Sequence, residues 1–136
     1  MKENNYPNWL VRLNVAEKLK EIGLRVRTAD YYVVDGNRCS FRTDFDVDFD
    51  KLQRNNYNAY PNYVAIPNFT QVLAWFRGKK LFATIDWVGV NEYVYNIKST
   101  MSGFESIESK SLPTYELCRD ALVDKLIEVY KEKISK

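Results

Sequence analysis

The stretch "PNFTQVLAWFRG", residues 67–78, constrains the fold more than any other part of this chain. Asn68 and Gln71 stand three apart, the spacing of a capping box at a helix start. Phe69, Val72, Leu73 and Phe76 then fall at i, i+3, i+4 and i+7, a single apolar stripe. Trp75 widens the stripe, and Gly78 can close the helix in the left-handed conformation. Such a stripe must be laid on something, and the next residues offer it. "KKLFATIDWV" alternates Leu81, Ala83, Ile85 and Trp87 against a second set, "GVNE" turns the chain, and "YVYNIK" returns. "FESIES", after Gly103, reads as a weaker third strand. "PTYELCRDALVDKLIEVYKEKISK" reads as a closing helix capped at Thr114, with Cys118, Ala121, Leu122, Leu126 and Val129 inward. Lys131, Lys133 and Lys136 gather at its end, where the helix dipole favours cations.

The first half has the same kind of order. "NVAEKLKEIG" predicts a helix capped by Asn14 with Glu17 as the reciprocal partner, an apolar face of Val15, Leu19 and Ile22, and a stop at Gly23. Leu10 and Val11 extend that pattern back toward Asn8. "DYYVV" reads as a strand, Asp35-Gly36 as a two-residue hairpin turn, and "RCSFRTDF" as the returning strand. The implied class is α+β, an antiparallel sheet with helices packed on one face. The 136 residues suit one domain, in which roughly two-thirds of the unfolded surface can be buried. Two halves, 1–55 and 64–136, would be joined by the Tyr/Asn-rich run between them.

"TDFDVDFDK" places Asp44, Asp46, Asp48 and Asp50 at every second position. Their spacing matches the first half of a calcium loop. Its sixth position is Phe49 where the turn needs glycine, and its twelfth is Asn55 where a bidentate glutamate is needed. The expectation is therefore a solvated strand face, with Phe45, Val47 and Phe49 on the other side. Arg25, Arg27, Arg38 and Arg42 are near enough in sequence to pair with the carboxylates. A divalent-cation site on the run is the competing reading; no metal ligand is assigned.

Composition narrows the function classes. There is no histidine, so the commonest general base and metal ligand are missing. Cys39 and Cys118 form no CxxC pair, and two buried thiols in a reducing compartment are expected. Twenty basic against 18 acidic residues gives a net charge of +2, a weak basis for holding duplex DNA or an anionic membrane. No apolar run reaches the ~18 residues of a membrane span. "MKENNYPNWLVRLNV" does not read as a signal peptide, so a cytoplasmic protein is expected. Neither an enzyme nor a bound cofactor is expected. What stands out is "NNYNAYPNY", with Tyr57, Tyr60 and Tyr63 spaced by three. It reads either as a lid on the core or as a recognition surface, with Lys79 and Lys80 as local charges for stacked bases.

Two resemblances enter on particular residues. "VAEKLKEIGL…DYYVVDG", "AIPNFTQVLAWFRGKK" and "LPTYELCRDALVDKLIEV" are together similar to a set of small uncharacterised proteins from phages and prophages of Bacteroides-type bacteria. There a helix of the form "APTxxQALxWLRE" precedes a hairpin and a closing helix opens with "TYEEAL". Here Phe76 and Gly78 replace the usual Leu and Glu. The likeness covers most of the chain and implies a phage-related context, without site residues. From Asn68 onward the helix–three strands–helix order resembles the double-stranded-RNA-binding domain. That family holds phosphates with lysines at the start of its second helix; "PTYELCRD" has Glu116 there and no lysine before Lys125. A partial form of this fold also occurs in small antitoxin proteins, which use it for protein contacts. The expected function is thus a non-catalytic protein-interaction or adaptor domain, meeting a protein partner or itself. The alternative is a single-stranded nucleic-acid binder using Tyr57, Tyr60, Tyr63, Lys79 and Lys80, and after it a metal-dependent enzyme on the aspartate run.

Overall fold

Residues 10–25, 28, 30–35, 38–43 and 63–133 are described by a computed structural model, and the chain divides into two units, Met1–Gln71 and Val72–Lys136. In the first unit, Leu10 bridges Asn68 and the Val11 N–H donates to the Pro67 carbonyl at 3.1 Å. These bonds hold the chain extended through Val11, so the helical pattern does not reach back through Leu10 as expected. Helix α1 spans Leu13–Glu21 and its N-cap is Arg12, with no side-chain cap. The Arg12 carbonyl accepts from the N–H groups of Val15 and Ala16. Asn14, expected as the cap, is instead a first-turn residue, because the tertiary bonds at Leu10 and Val11 decide where the turn begins.

The other end of α1 follows expectation. Gly23 adopts φ +98°, a conformation that strains any residue with a Cβ. Gly23 N–H donates to Lys20 O and Leu24 N–H reaches back to Leu19 O, both at 3.0 Å. Leu19 and Leu24, the two positions whose apolar side chains favour this kind of stop, are both buried. Ala16 is buried beside Leu19, where Val15 and Ile22 were expected to lead and are only half-buried.

The first sheet has strands β1 (Asp30–Asp35), β2 (Arg38–Thr43) and β3 (Tyr63–Ile66) in the order β2-β1-β3, all antiparallel. β1 and β2 pair from Asp30↔Thr43 to Asp35↔Arg38. Asp35, expected in the turn, is instead a strand residue paired with Arg38; Gly36 lies outside the described residues. β3 was not foreseen: Tyr63 reads from sequence as part of a loop, yet it begins a strand and pairs with Val33. Val64, Ala65 and Ile66 are buried, and α1 packs against this strand. The aspartates 44–50 lie outside the described residues.

Helix α2 (Phe69–Gly78) starts as predicted. The Gln71 N–H donates to Asn68 Oδ1 at 2.8 Å, and the Asn68 N–H donates to Gln71 Oε1 at 3.0 Å. Val72 and Phe76 are fully buried. The Trp75 ring lies 5.1 Å from Phe76 and 5.2 Å from Tyr130, both centre to centre. The stop differs from expectation. Gly78 remains helical and Lys80 takes the left-handed conformation, φ +70°. The N–H groups of Lys79 and Lys80 bond the carbonyls of Phe76 and Arg77, which tightens the last turn two residues past Gly78.

In the second unit β4 (Leu81–Gly89), β5 (Glu92–Ser99) and the short β6 (Ile107–Glu108) form an antiparallel sheet in the order β4-β5-β6. Helix α3 (Tyr115–Lys133) is capped by Thr114, whose Oγ1 accepts from the Leu117 N–H at 3.1 Å. α3 packs on β5 and β4. It buries Cys118, Leu122, Val123, Leu126, Ile127 and Val129, so Val123 and Ile127 widen the expected stripe, while Ala121 is half-buried. The class is α+β as read from sequence, but the described residues form two three-stranded sheets where one was expected. β3 takes the free side of β1, and the β4–β5 hairpin continues only into β6. No helix among the described residues is long and apolar enough to cross a membrane.

Candidate interaction surface

Alternation assigns the two faces of the second sheet. Leu81, Ala83, Ile85 and Trp87 share one face with their partners Ser99, Ile97, Tyr95 and Tyr93. α3 covers this face, and burial falls steadily along β4: Leu81 is buried, Ala83 and Ile85 half-buried, Trp87 69% exposed. The open face carries Phe82, Thr84, Asp86 and Val88 against Lys98, Asn96 and Val94. Asn96 Nδ2 donates to Asp86 Oδ2 at 2.7 Å across this face.

The far end of the hairpin is the unusual part. Val88 is 55% exposed, and Val90 in the turn is 84% exposed. Asn91 makes that turn with φ +54°. The Tyr93 ring meets Tyr115 edge-to-face at 6.2 Å, and Tyr115 itself is about half exposed. Tyr93 and Leu112 exchange two backbone hydrogen bonds, at 2.9 and 2.8 Å, which fixes the approach to α3 beside the hairpin. Leu117, in the first turn of α3, is exposed as well. Large apolar side chains left in water forgo roughly 25 cal/mol per Å² of burial, so a set of them on one unit marks a surface with a use. The ionisable residues near this end are Asp86, Glu92 and Glu116, with Lys110 between the β6-side partners of Tyr95 and Tyr93.

Of the residues singled out from sequence, Lys79 and Lys80 are exposed at the start of β4. The Lys79 ammonium sits 5.1 Å from the centre of the Trp75 ring. Lys80 and Trp87 are seven residues apart on an extended strand, about 23 Å. The lysines therefore do not join the aromatic end. Tyr63 lies in β3 of the first unit; Tyr57 and Tyr60 lie outside the described residues. Sequence reading missed Trp87 as a surface residue because its alternation places it on the core face. Its face was right; α3 does not extend over it.

Two buried or half-buried groups are shifted nearby. Burial pushes the Cys118 thiol up, with Asp86 adding, and Cys118 is free. Burial likewise raises the Tyr95 phenol, opposed by Lys125 and aided by Glu128 and Cys118. A buried, neutral thiol is a poor nucleophile. Among the described residues no group of three or more His, Cys, Asp or Glu is gathered to hold a metal ion. Comparison with protein-family models, curated proteins and solved structures finds no match.

Proposed function

We propose that this chain is a non-catalytic protein-interaction module whose contact surface is the end of the β4–β5 hairpin. The observation that carries the reading is Trp87, 69% exposed beside exposed Val88 and Val90. Trp and Tyr are enriched where proteins meet, because they offer large, stiff contact area with a polar tip. Three carboxylates, Asp86, Glu92 and Glu116, against one ammonium, Lys110, disfavour phosphate at this end, which supports a protein over a nucleic acid. The resemblance to phage-associated proteins supplies the proposed context, inside the bacterial cytoplasm. The resemblance of the helix–three strands–helix order from Asn68 onward to the double-stranded-RNA-binding domain is proposed for the scaffold alone, since "PTYELCRD" carries Glu116 and none of that family's phosphate-holding lysines.

The test places a photo-crosslinking residue at position 87 of the full chain, in cells. The reading expects discrete adducts with a protein, diminished by Val90→Asp. Absence of any protein adduct overturns it. So does micromolar binding of labelled single-stranded DNA or RNA at low salt that is lost in the Lys79→Ala, Lys80→Ala double variant.

A further inference from the structure

β4 is an edge strand, and its backbone is addressed outward in a definite pattern. Tyr93 exchanges both backbone bonds with Leu112, while the Ser109 N–H donates to Tyr95 O at 3.0 Å. Tyr95 N–H donates to Ser109 Oγ at 2.9 Å. The odd-numbered residues of β5 thus direct N–H and C=O toward β6. Alternation then turns Val94, Asn96 and Lys98 toward β4, to bond Asp86, Thr84 and Phe82. It follows that Ala83, Ile85 and Trp87 direct their N–H and C=O away from β5, to the outer edge. Among the described residues no strand pairs with that edge. β4 carries no proline or lysine of the kind that blunts edges.

We propose that this edge pairs with the same edge of a second copy of the chain, antiparallel and centred on Ile85. The proposal rests on the interaction-module reading and names its partner. The register is chosen by charge and size. Centring on Asp86 sets two carboxylates directly opposite, and centring on Ala83 or Thr84 engages Leu81, which is fully buried. Centring on Trp87 meets the register shift between Trp87 and Gly89. Centring on Ile85 sets Ile85 against Ile85, Thr84 against Asp86, Ala83 against Trp87 and Phe82 against Val88. Each indole then lies over the small Ala83 side chain, and exposed Phe82, Trp87 and Val88 are all covered. Lys80 comes level with Val90 of the partner copy's turn, next to Gly89, against which the Glu92 carboxylate lies, once at each end. About six backbone hydrogen bonds join the strands across the three outward-facing pairs. The area is near the lower end for specific interfaces, about 1,200 Å² in total, so the dimer is expected at micromolar concentrations.

The experiment is sedimentation equilibrium of the full chain from about 1 to 300 μM, with two variants at exposed Thr84. The dyad repeats the Thr84–Asp86 pair, so each substitution acts twice. Thr84→Asp is expected to weaken the dimer by about tenfold or more, and Thr84→Lys to tighten it several-fold. Melting curves of dilute samples check that both variants fold. Hydrogen exchange supplies a second readout: the Ala83, Ile85 and Trp87 amides gain protection with concentration, while those of Phe82, Thr84 and Asp86 are protected throughout. A monomer over the whole range overturns the proposal, and so does a dimer indifferent to both variants or weakened equally by them. Adducts at position 87 with a different protein would leave the interaction-module reading standing while the self-pairing fails.

Discussion

The two units are built from similar parts in different connection. In the first, the central strand β1 is paired on both sides, and its second partner, β3, arrives from 30 residues further on, Val33↔Tyr63. In the second, each strand pairs with the next in sequence, and long β4 is left at the edge. Local pairing needs only a short loop to close, whereas the β1–β3 pairing closes a long one. In the first unit, backbone bonds join Leu10 and Val11 to Asn68 and Pro67. The second leaves Trp87, Val88 and Val90 in water. Both sheets have edges, and pairing order decides which strands lie there: β2 and β3 in the first, the long β4 and the short β6 in the second.

The sharpest way to break this comparison is at the second unit's core. Phe76 is fully buried and its ring packs against Trp75 and, at 6.3 Å, Tyr130. Phe76→Ala is expected to cost ~3–5 kcal/mol in urea denaturation. Wild-type stability in that variant would mean that the α2 stripe is a surface.

Helix stops give the next contrast. Gly23→Ala puts a Cβ on a φ of +98° and should cost ~1–2 kcal/mol. Lys80→Gly relieves the same kind of conformation at the end of α2 and should stabilise by up to ~1 kcal/mol. Thermal melts of the two variants should shift in opposite directions.

Helix starts differ as well. Asn68→Ala removes a cap whose bond is 2.8 Å and should cost ~1 kcal/mol. Asn14→Ala removes no cap and is expected to be neutral or slightly stabilising, since alanine is the better helix former. Equal losses in the two would return Asn14 to the capping role.

The smallest effect is in pH. Cys118 and Tyr95 have raised values, so the fold favours their neutral forms. Their contribution is whole below the unfolded-chain values and is lost as pH climbs through the raised ones. Lys20, in the first unit, is lowered by burial, with Arg25 adding. Its charged form is disfavoured in the fold, so its penalty fades as pH climbs through the lowered value. Between about pH 8.5 and 10.5 the second unit should lose stability on these groups while the first gains on Lys20. Methyl NMR signals of Leu122 and Leu19, followed through urea at several pH values, read the units separately. Parallel losses would remove the contrast.

What sequence alone determined is what is local. Asn68 with Gln71, Thr114, the stripe of Val72 and Phe76, Gly23, and the β4–β5 hairpin are all legible, because caps, periodicity and short turns act within a few residues. Tertiary structure decided the rest. Bonds to Pro67 and Asn68 moved the start of α1 from Asn14 to Arg12. A partner strand 30 residues away made a strand of Tyr63–Ile66, a segment too short to show a period. The reach of α3 left Trp87 in solvent, although its alternation belongs to the core. Each depends on which distant residues arrive to bond or cover a segment, and no pattern within the segment encodes that arrival.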